Sequence, residues 1–406
     1  MKLTLLSAAV LLMAAAGAAQ AAKIATITVE AGKAARCDTP VCAALDGIDA
    51  PKTVHLEEVA AGGRTPVACQ IEPGKPARLW FILAGKTAAG ATRTFELVEG
   101  PAAAAPAVDV KADKDFLDIT SGGAKVLRFY NGLSDPPAAF GPLFKRSGFI
   151  GPVYTPSGLL VTDTHPSNHK HHMGIWSPWT KTEFEGRHPD FWNLGTGSGL
   201  VRCTGVTSTI SGPIFGGFVS TLEQVDTKAP GGEKVALNET WDVKVYRVGG
   251  VEKAYWLFDF ISTQRCAGAS PLKLPKYHYG GLGIRGARAW EKDVPQLLTS
   301  EGKTRKQANE TTMRWADLYG PLDGKTAGIL LMSHPANFRY PEPIRMHPSE
   351  PFLGVAPQQG GDFAIEPGKD YVWRYRFAIH DGEMKADEAN RLWADFGEPP
   401  AVKVAK

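Results

Sequence analysis

Residues 233–248 read EKVALNETWDVKVYRV, and residues 254–263 read AYWLFDFIST. Both segments are long and rich in β-branched and aromatic residues, and a glycine-containing turn separates them, which predicts β-strands. Similar runs recur from residue 108 onward, whereas amphipathic segments of helical length are nearly absent. The sequence therefore predicts an all-β protein whose main part, residues 108–406, is a large antiparallel β-sandwich. Further strands are predicted at residues 126–130, 158–161, 218–223, 328–332 and 371–379.

The N-terminal part of the chain consists of shorter segments, at residues 24–30, 52–59, 67–71, 77–83 and 92–98. Their alternation and their spacing by Gly- and Pro-containing turns predict a small β-sandwich of immunoglobulin type over residues 22–100. Residues 101–107 have the composition of a linker and mark the expected domain boundary. One short C-terminal helix is predicted at residues 386–396, with an apolar face formed by Ala389, Leu392, Trp393 and Phe396.

The first 21 residues have the layout of a secretory signal, with Lys2, an apolar run and small residues that end at Ala21. We therefore expect a signal peptide at residues 1–21 and a periplasmic or secreted mature protein. No other apolar run is long enough to span a bilayer, so no membrane insertion is expected after the signal is removed. The net charge of +3 comes from scattered basic residues, which argues against a nucleic-acid partner.

Five cysteines remain in the mature chain. Because an oxidising compartment permits disulfides, we expect a bridge from Cys69 to either Cys37 or Cys42. Cys203 and Cys266 lie in strand-like surroundings and are expected to be buried thiols without a chemical role.

Five of the ten histidines lie between residues 163 and 192, in a stretch rich in glycine and proline. Imidazole exchanges protons near neutral pH and is the commonest metal ligand, so this concentration indicates a functional site. Proline, asparagine and glycine within the stretch oppose a helix, and on an extended chain His169 and His171 point away from His172. A carboxylate beside a neutral imidazole is suited to general acid–base catalysis. The predicted catalytic residues are His169, His171, His172 and Asp163.

Two alternatives remain for these histidines. Two of them, together with Asp163 or Asp190, could hold a divalent metal ion, although the helical His-Glu-x-x-His arrangement is missing. Otherwise they are hydrogen-bonding groups of a strand turn without catalytic function. Apart from this possible divalent metal ion, the cofactor is not identified by the sequence.

Aromatic and polar residues near the histidines predict a sugar-binding surface. Flat aromatic faces suit the apolar side of a sugar ring, so we expect one of Trp176, Trp179 and Trp192 to face a ligand. Residues 276–285 read KYHYGGLGIR. The glycines permit close approach of a ligand or of another backbone segment, and Arg285 can clamp a carboxylate or a hydroxyl pair. Because no helix follows the glycines, a nucleotide-binding loop is excluded. The predicted substrate-binding residues are Trp176, Asp190, Trp192, Tyr277, Arg285, His334 and Asn337, the last two at a strand end expected to line the same cleft.

Several short segments form a combination that is more specific than any one of them. The segments are Ala88-Ala-Gly90-Ala-Thr-Arg93-Thr-Phe95, His169-Lys-His171-His172-Met-Gly174-Ile-Trp176, Asp190-Phe191-Trp192, Gly281-Leu-Gly-Ile-Arg285, Arg314-Trp315-Ala-Asp317, Ala327-Gly328-Ile329, His334-Pro-Ala-Asn337, Arg374-Tyr-Arg376 and His380-Asp-Gly382. Together they resemble one known family, the PmoA-like proteins, which are largely of unknown function.

The resemblance covers nearly the whole mature chain and implies an exported bacterial protein associated with glycan use, with a β-supersandwich similar to galactose-mutarotase-like proteins and polysaccharide lyases. It further implies that His171 or His172 exchanges protons and that Arg285 and Asn337 bind substrate. Relatives are expected to carry an acidic residue soon after Asp-Phe-Trp, where this chain has Asn193.

The leading hypothesis is an exported carbohydrate-active enzyme that acts on a glycosidic or anomeric centre through acid–base chemistry of the histidines. Its partner would be a carbohydrate; the sugar, and the choice between hydrolysis, elimination and epimerisation, stay open. A non-catalytic glycan-binding protein that uses the same cleft is the first alternative, and a metal-dependent hydrolase or oxidoreductase is the second. A serine hydrolase of the α/β type is disfavoured because no Gly-x-Ser-x-Gly motif is present.

Overall fold

The computed structural model describes residues 22–49, 53–101, 108–250, 254–291 and 294–406. The predicted signal peptide, residues 1–21, lies outside the described residues, as does the predicted linker except for Pro101. No helix in the described part of the chain is long and apolar enough to cross a membrane. Antiparallel sheets dominate and a short helix lies near the C-terminus, which confirms the predicted all-β class.

The N-terminal part is a small β-sandwich. Its strands are β1 (Lys23–Glu30), β2 (Arg36–Ala44), β3 (Val54–Ala60), β4 (Gly63–Val67), β5 (Cys69–Glu72), β6 (Arg78–Thr87) and β7 (Thr92–Glu99). Strands β2, β6 and β5 form one sheet, and β1, β7, β3 and β4 lie in the other. Alternate side chains of the two sheets, among them Ile27, Leu56, Phe81 and Phe95, are fully buried and form the core between them.

The main part is a large sandwich of two antiparallel sheets. From residue 108 onward the elements are β8 (Val108–Ala112), β9 (Phe116–Ser121), β10 (Ala124–Tyr130), β11 (Phe149–Val153), β12 (Ile175–Trp176), β13 (Gly199–Ile210), β14 (Phe215–Asp226), β15 (Lys234–Gly250), β16 (Tyr255–Cys266), β17 (Leu272–Leu274), β18 (Gly283–Arg285), β19 (Gln296–Thr299), α1 (Arg305–Ala308), β20 (Thr312–Met313), β21 (Trp315–Leu322), β22 (Lys325–Ser333), β23 (Glu342–Met346), β24 (Phe352–Val355), β25 (Phe363–Ile365), β26 (Tyr371–Asp381), α2 (Ala386–Gly397) and β27 (Ala401–Ala405). Of these, β17 and β25 pair with each other outside the two main sheets, and β27 belongs to the N-terminal sandwich. Short 3-10 helices occupy Ala138–Phe140, Pro142–Phe144, Leu194–Thr196, Arg288–Trp290 and Pro357–Gly360.

One sheet has nine strands in the order β20-β23-β24-β18-β12-β11-β10-β9-β8, and the other has eight in the order β13-β14-β15-β16-β26-β22-β21-β19. The predicted strands at residues 233–248 and 254–263 are β15 and β16, which pair with each other in the middle of the eight-stranded sheet. The strand predicted at residues 158–161 is wrong. Gly158 has a φ of +86° and its N–H donates to the Thr155 carbonyl (2.9 Å), so the chain turns back there.

The C-terminal strand β27 departs from the expected domain division. It pairs antiparallel with β1, Val29 opposite Val402, and thereby completes a sheet of the N-terminal sandwich. Arg36 fixes the return of the chain, because its guanidinium donates to the backbone oxygens of Ala394 (2.8 Å) and Glu398 (2.6 Å) at the end of α2. The N-terminal sandwich is therefore built from both ends of the chain.

The predicted disulfide is also wrong. Cys42 on β2 and Cys69 on β5 are free thiols. Strand β6 lies between those two strands, with Cys42 opposite Trp80 and Cys69 opposite Phe81. Two strand spacings amount to about 10 Å, beyond the limit of about 7 Å between the Cα atoms of a disulfide. Strand β2 also carries Cys37, so β6 separates that residue from β5 too. Cys266 is buried as expected, whereas Cys203 is partly exposed.

The nine-stranded sheet has two faces with different surroundings. Ile150, Ile175, Ile284 and Leu353 form a row across four strands and belong to the main core between the two sheets. The side chains of the opposite parity point away from the eight-stranded sheet, and we call this the outer face. The eight-stranded sheet is covered on its own far side by α2 and the N-terminal sandwich. The outer face of the nine-stranded sheet is instead covered by loops that connect its own strands.

Candidate functional site

The histidine-rich loop between β11 and β12 lies on the outer face. The His172 ring packs over Phe352 (centroids 4.9 Å apart) and Trp176 (5.2 Å), and His169 stacks on His172 at 4.6 Å. His171 contacts His172 edge-on at 4.8 Å. The three predicted catalytic imidazoles thus converge.

The loop is a turn rather than the extended segment that the sequence suggested. The His172 N–H donates to the His169 carbonyl (2.8 Å), and the His165 N–H donates to the His172 carbonyl (2.9 Å). This curvature turns the His172 ring to the same side as His169, so the expected alternation of side chains is lost.

His347 is a fourth imidazole of the site and was not among the predicted site residues. It follows β23 and lies 5.2 Å from His169, ring centroid to ring centroid. Its Nδ1 accepts hydrogen bonds from the backbone N–H groups of Glu350 (3.1 Å) and Ser349 (3.3 Å). In a neutral ring the proton is therefore on Nε2. We refer to His169, His171, His172 and His347 as the histidine cluster.

The histidine cluster is held neutral at physiological pH. Burial lowers the pKa of all four imidazoles, to about 3 for His171 and to about 4 for His347, and well below the ordinary value of 6.5 for His172. Neighbouring imidazoles add to the effect, since His169 disfavours a second charge on His171, His172 and His347. The Nδ1 atoms of His169 and His172 are buried and have no hydrogen-bond partner among the described residues. Neutral rings of this kind can accept a proton or a hydrogen bond.

Arg285, predicted to bind substrate, lies under the histidine loop with its side chain fully buried. Its Nη1 donates to Glu350 (3.0 Å) and its Nη2 donates to Glu291 (3.2 Å). The second oxygen of Glu350 accepts from Asn168 of the histidine loop (2.8 Å). Arg285 therefore positions the histidine loop and the segment that carries His347.

The three tryptophans are buried, so the expectation that one of them faces a ligand is not met. Trp176 and Trp192 pack against each other at 4.8 Å on the outer face, and Trp179 donates its indole N–H to Gln264 in the main core (2.9 Å). Gly283 on β18 makes room for the first two. A Cβ built on Gly283 would lie 2.6 Å from Trp192 and 3.1 Å from Trp176, so this glycine admits tryptophans rather than a ligand.

Asp190 organises the loop that holds Trp192. Its carboxylate accepts hydrogen bonds from the N–H groups of Trp192 (3.0 Å) and Asn193 (2.8 Å) and from the Asn193 amide (2.8 Å). The same amide donates to the Tyr279 hydroxyl (3.0 Å). Asn193, which stands where an acidic residue was expected, thus ties the Asp190 loop to the tyrosine segment.

Tyr277 lines a cavity of about 430 Å³ at the edge of the outer face. Burial and the neighbouring Tyr279 raise the pKa of Tyr277 to about 12, so its phenol is a stable hydrogen-bond donor. The cavity is lined by Lys276, Tyr277, His278, Glu310, Thr312, Pro343, Gln359 and Gly360.

Arg345 connects this cavity with the histidine cluster. It lies opposite Gly354 on β24, which lies opposite Gly283 on β18, in one row across the outer face that ends at Trp176. Its positive charge lowers the pKa of both His278 in the cavity and His347 in the cluster. Side chains alternate along β23, so Arg345, next to the core residue Ile344, must lie on the outer face. This alternation does not reveal which strands are the neighbours of β23.

Asp163 does not accompany the imidazoles in the way the sequence suggested. Both of its oxygens accept hydrogen bonds from Arg288 (2.9 and 3.2 Å), and one also accepts from the Thr164 N–H (2.9 Å). The bidentate pair with Arg288 closes the start of the histidine loop.

His334 and Asn337 lie elsewhere, because the loop after β22 belongs to the eight-stranded sheet. The His334 ring packs on Phe396 of α2, 5.1 Å between centroids. The Asn337 side chain donates to Glu342 (2.9 Å) and exchanges two hydrogen bonds with the backbone of Arg374 (both 2.8 Å). These contacts hold the loop and the strand together, and the expected common cleft is not formed with these two residues.

A metal site is not evident in the described residues, which contain no group of three or more His, Cys, Asp or Glu placed to hold an ion. The rings of His169 and His172 are stacked with only 21° between their planes. Because each nitrogen lone pair lies in the plane of its ring, two stacked rings do not direct their lone pairs at one metal ion.

Residues 117–394 match the model of DUF6807, a family of unknown function. No curated protein matches the chain. Among solved structures, one match is a protein in the glycosyl hydrolase family 38 from Enterococcus faecalis, with 9% sequence identity and a TM-score of 0.43. That match covers 94% of this chain and 47% of the other, so the chain spans about half the length of the solved structure.

Proposed function

Because the chain belongs to the DUF6807 family, whose function is unknown, we propose an activity from the site itself: a carbohydrate-active enzyme that performs acid–base chemistry at a glycosidic or anomeric centre. The observation that carries this proposal is the histidine cluster, four imidazoles in ring contact and neutral at physiological pH. Resemblance to the PmoA-like proteins supports the choice of glycans as the substrate class.

The chemistry follows from the accessible members of the cluster. His169, His171 and His347 are partly exposed, whereas His172 is buried behind them and supports their stacking. A neutral imidazole can take a proton from a hydroxyl group or from water, and the imidazolium formed in this way can return that proton to a departing oxygen. The Nε2–H of His347 can donate a hydrogen bond to the same oxygen. Tyr277 and the side chains of its cavity offer hydrogen bonds of the kind that sugar hydroxyls accept and donate.

A non-catalytic glycan-binding protein is the second candidate. The low pKa values of His171 and His347 favour it, because an imidazole with a pKa of about 3 or 4 is a weak base at neutral pH. In such a protein the same rings would serve as hydrogen-bonding groups.

Turnover of an oligosaccharide panel by single variants tests the proposal. We expect His169→Gln, His171→Gln and His347→Gln each to lower kcat by about 100-fold or more, the usual range for loss of a general acid or base. His188→Gln is the matched control, since His188 is exposed and bonds only the Thr182 carbonyl through its Nδ1 (2.9 Å). Unchanged turnover in all three variants would contradict acid–base catalysis by the cluster, and binding without product across the panel would support the second candidate.

Export belongs to the same proposal. The signal-like composition of residues 1–21 supports a periplasmic or secreted location. Expression of the full chain in a Gram-negative host, followed by cell fractionation and N-terminal sequencing, should find a mature protein that begins at Ala22. An uncleaved chain in the cytoplasmic fraction would contradict export.

A further inference from the structure

Three guanidinium groups surround the histidine cluster. Arg285 lies beneath it, and the positive charge of Arg285 lowers the pKa of His169, His172 and His347. Arg146 comes two residues after Phe144, whose carbonyl oxygen lies 3.0 Å from the Nε2 of His165 in the histidine loop. It is almost completely buried, and its charge also lowers the pKa of His171. All three guanidinium nitrogens of Arg146, and the Nε of Arg285, are buried without a hydrogen-bond partner among the described residues. Buried cationic groups are costly unless negative charge compensates them. The carboxylates of Glu239 and Asp190 oppose the lowering of the Arg146 pKa by burial, and Arg285 pairs with Glu350 and Glu291.

Arg345 is the guanidinium that a ligand can reach. It is partly exposed, and its Nη1 donates to the neutral side-chain amide of Asn309 (3.1 Å) rather than to a carboxylate. On β23 it follows by two residues Pro343, which lines the 430 Å³ cavity, and it precedes His347 of the histidine cluster by two residues, so it lies between the two.

The carboxylates near the cluster are largely engaged by other groups. Glu350 accepts from Arg285 and Asn168, and Asp190 accepts from its own loop. Glu310 lines the cavity together with Lys276. Arg345 is therefore a partly exposed cation that forms no ion pair with a carboxylate of the described residues.

The geometry points to an anionic sugar as the ligand of this site, with its carboxylate or sulfate group on Arg345 and its ring in the cavity beside Tyr277. The inference that the ligand is a sugar rests on the proposed function, whereas the inference that it is negatively charged rests on the guanidinium groups. Arginine binds planar carboxylate and sulfate oxygens through paired hydrogen bonds, which a neutral sugar cannot match. A volume of about 430 Å³ is within the ordinary range of small-molecule sites.

Isothermal titration calorimetry with matched ligands tests the inference. The probes are oligosaccharides of galacturonate, glucuronate and mannuronate, the carboxyl-reduced counterpart of each, and sulfated galactan oligosaccharides beside unsulfated ones. We expect at least one anionic probe to bind about tenfold or more tightly than its neutral counterpart. A preference confined to the carboxylate or to the sulfate pair identifies which group the site takes. Equal affinity within every pair, or no binding at all, would overturn the inference.

Variants of Arg345 locate the anion. Arg345→Met should abolish the preference for the charged probe, and Arg345→Lys should retain part of it because the charge remains. Arg265→Met is the matched control, since Arg265 is exposed on the eight-stranded sheet and pairs with Asp370. A preference that persists in Arg345→Met, with the variant folded by circular dichroism, would overturn the assignment to Arg345.

The outcomes separate this inference from the proposed function. Turnover of neutral glycans that depends on the histidine cluster, without any preference for anions, would support the proposed enzymatic function and contradict the anion site. Tight binding of an anionic probe that depends on Arg345, without turnover, would support the anion site and contradict the enzymatic function.

Discussion

Protonation of single imidazoles links the candidate site to the stability of the protein. The His171 ring is neutral in the native state down to a pKa of about 3, whereas in the unfolded chain it takes up a proton near 6.5. Below about pH 6.5 the unfolded state therefore binds more protons, so stability falls as pH falls. The cost is due chiefly to burial, and it is the physical reason why a cluster of histidines on this face stays uncharged.

His171→Gln should reduce this dependence on pH. Between about pH 7 and about pH 5, we expect the free energy of unfolding of the variant to fall by about 1 to 2 kcal/mol less than that of the wild type, because one titrating group is removed. Urea denaturation at the two pH values measures the difference. Identical pH dependence in the two proteins would show that the His171 ring is not desolvated.

Asp163→Asn tests whether this carboxylate takes part in catalysis. Since Asp163 binds Arg288, whose side chain is largely exposed, we expect stability to fall by no more than about 1 kcal/mol. We also expect kcat on any accepted substrate to stay within about threefold of wild type, because the variant leaves the histidine cluster intact. A loss of about 100-fold in kcat without loss of stability would assign Asp163 to the reaction, as the sequence suggested.

Long strands could be predicted from the sequence, whereas the conformation of the histidine loop and the burial of the tryptophans could not. Long strands such as β15 and β16 were predicted because their composition and length are maintained over many residues. The histidine loop was misjudged, because its turn depends on backbone hydrogen bonds that no periodicity reveals. The burial of Trp176 was not predicted, because the rings that pack on it, His172, Trp192 and Phe352, meet only in the folded chain.

Strand β18 offers a test of the packing on the outer face. Gly283→Ala would place a Cβ 2.6 Å from Trp192 and 3.1 Å from Trp176, and we expect a loss of about 1 to 3 kcal/mol from overpacking. Gly205→Ala on β13 is the control, because its Cβ would meet no atom within 4 Å and should change stability by less than about 0.5 kcal/mol. Urea denaturation followed by tryptophan fluorescence compares the two. Equal stability of both variants would contradict the close approach of the indoles to this strand.

The whole molecule depends on contacts between segments that are far apart in sequence. An all-β protein with two sandwiches could be predicted from strand patterns, but the return of β27 to β1 could not, because edge pairing is not encoded in either strand alone. The same holds for the site. Arg146, Arg285 and Arg345 come from different connections and strands, and only the order of the nine-stranded sheet brings them around one group of histidines.

Removal of residues 401–406 tests the return of the chain. Val402 and Val404 of β27 are partly buried against the N-terminal core, and their loss should lower the free energy of unfolding by about 2 kcal/mol. Removal of Lys406 alone is the control, since it leaves β27 complete. Calorimetric unfolding of both truncated proteins gives the comparison. Equal melting temperatures would show that β27 adds nothing to the N-terminal sandwich.

A crystal structure of the protein with the tightest-binding oligosaccharide tests the central claim most directly. We predict electron density for the sugar on the outer face of the nine-stranded sheet, within hydrogen-bond distance of His169 or His347 and of Arg345. A second cavity, of about 580 Å³, lies between the N-terminal sandwich, the eight-stranded sheet and α2, lined by Trp80 and Arg376 among others. Sugar bound in that cavity, with the outer face empty, would contradict the assignment of the histidine cluster as the functional site.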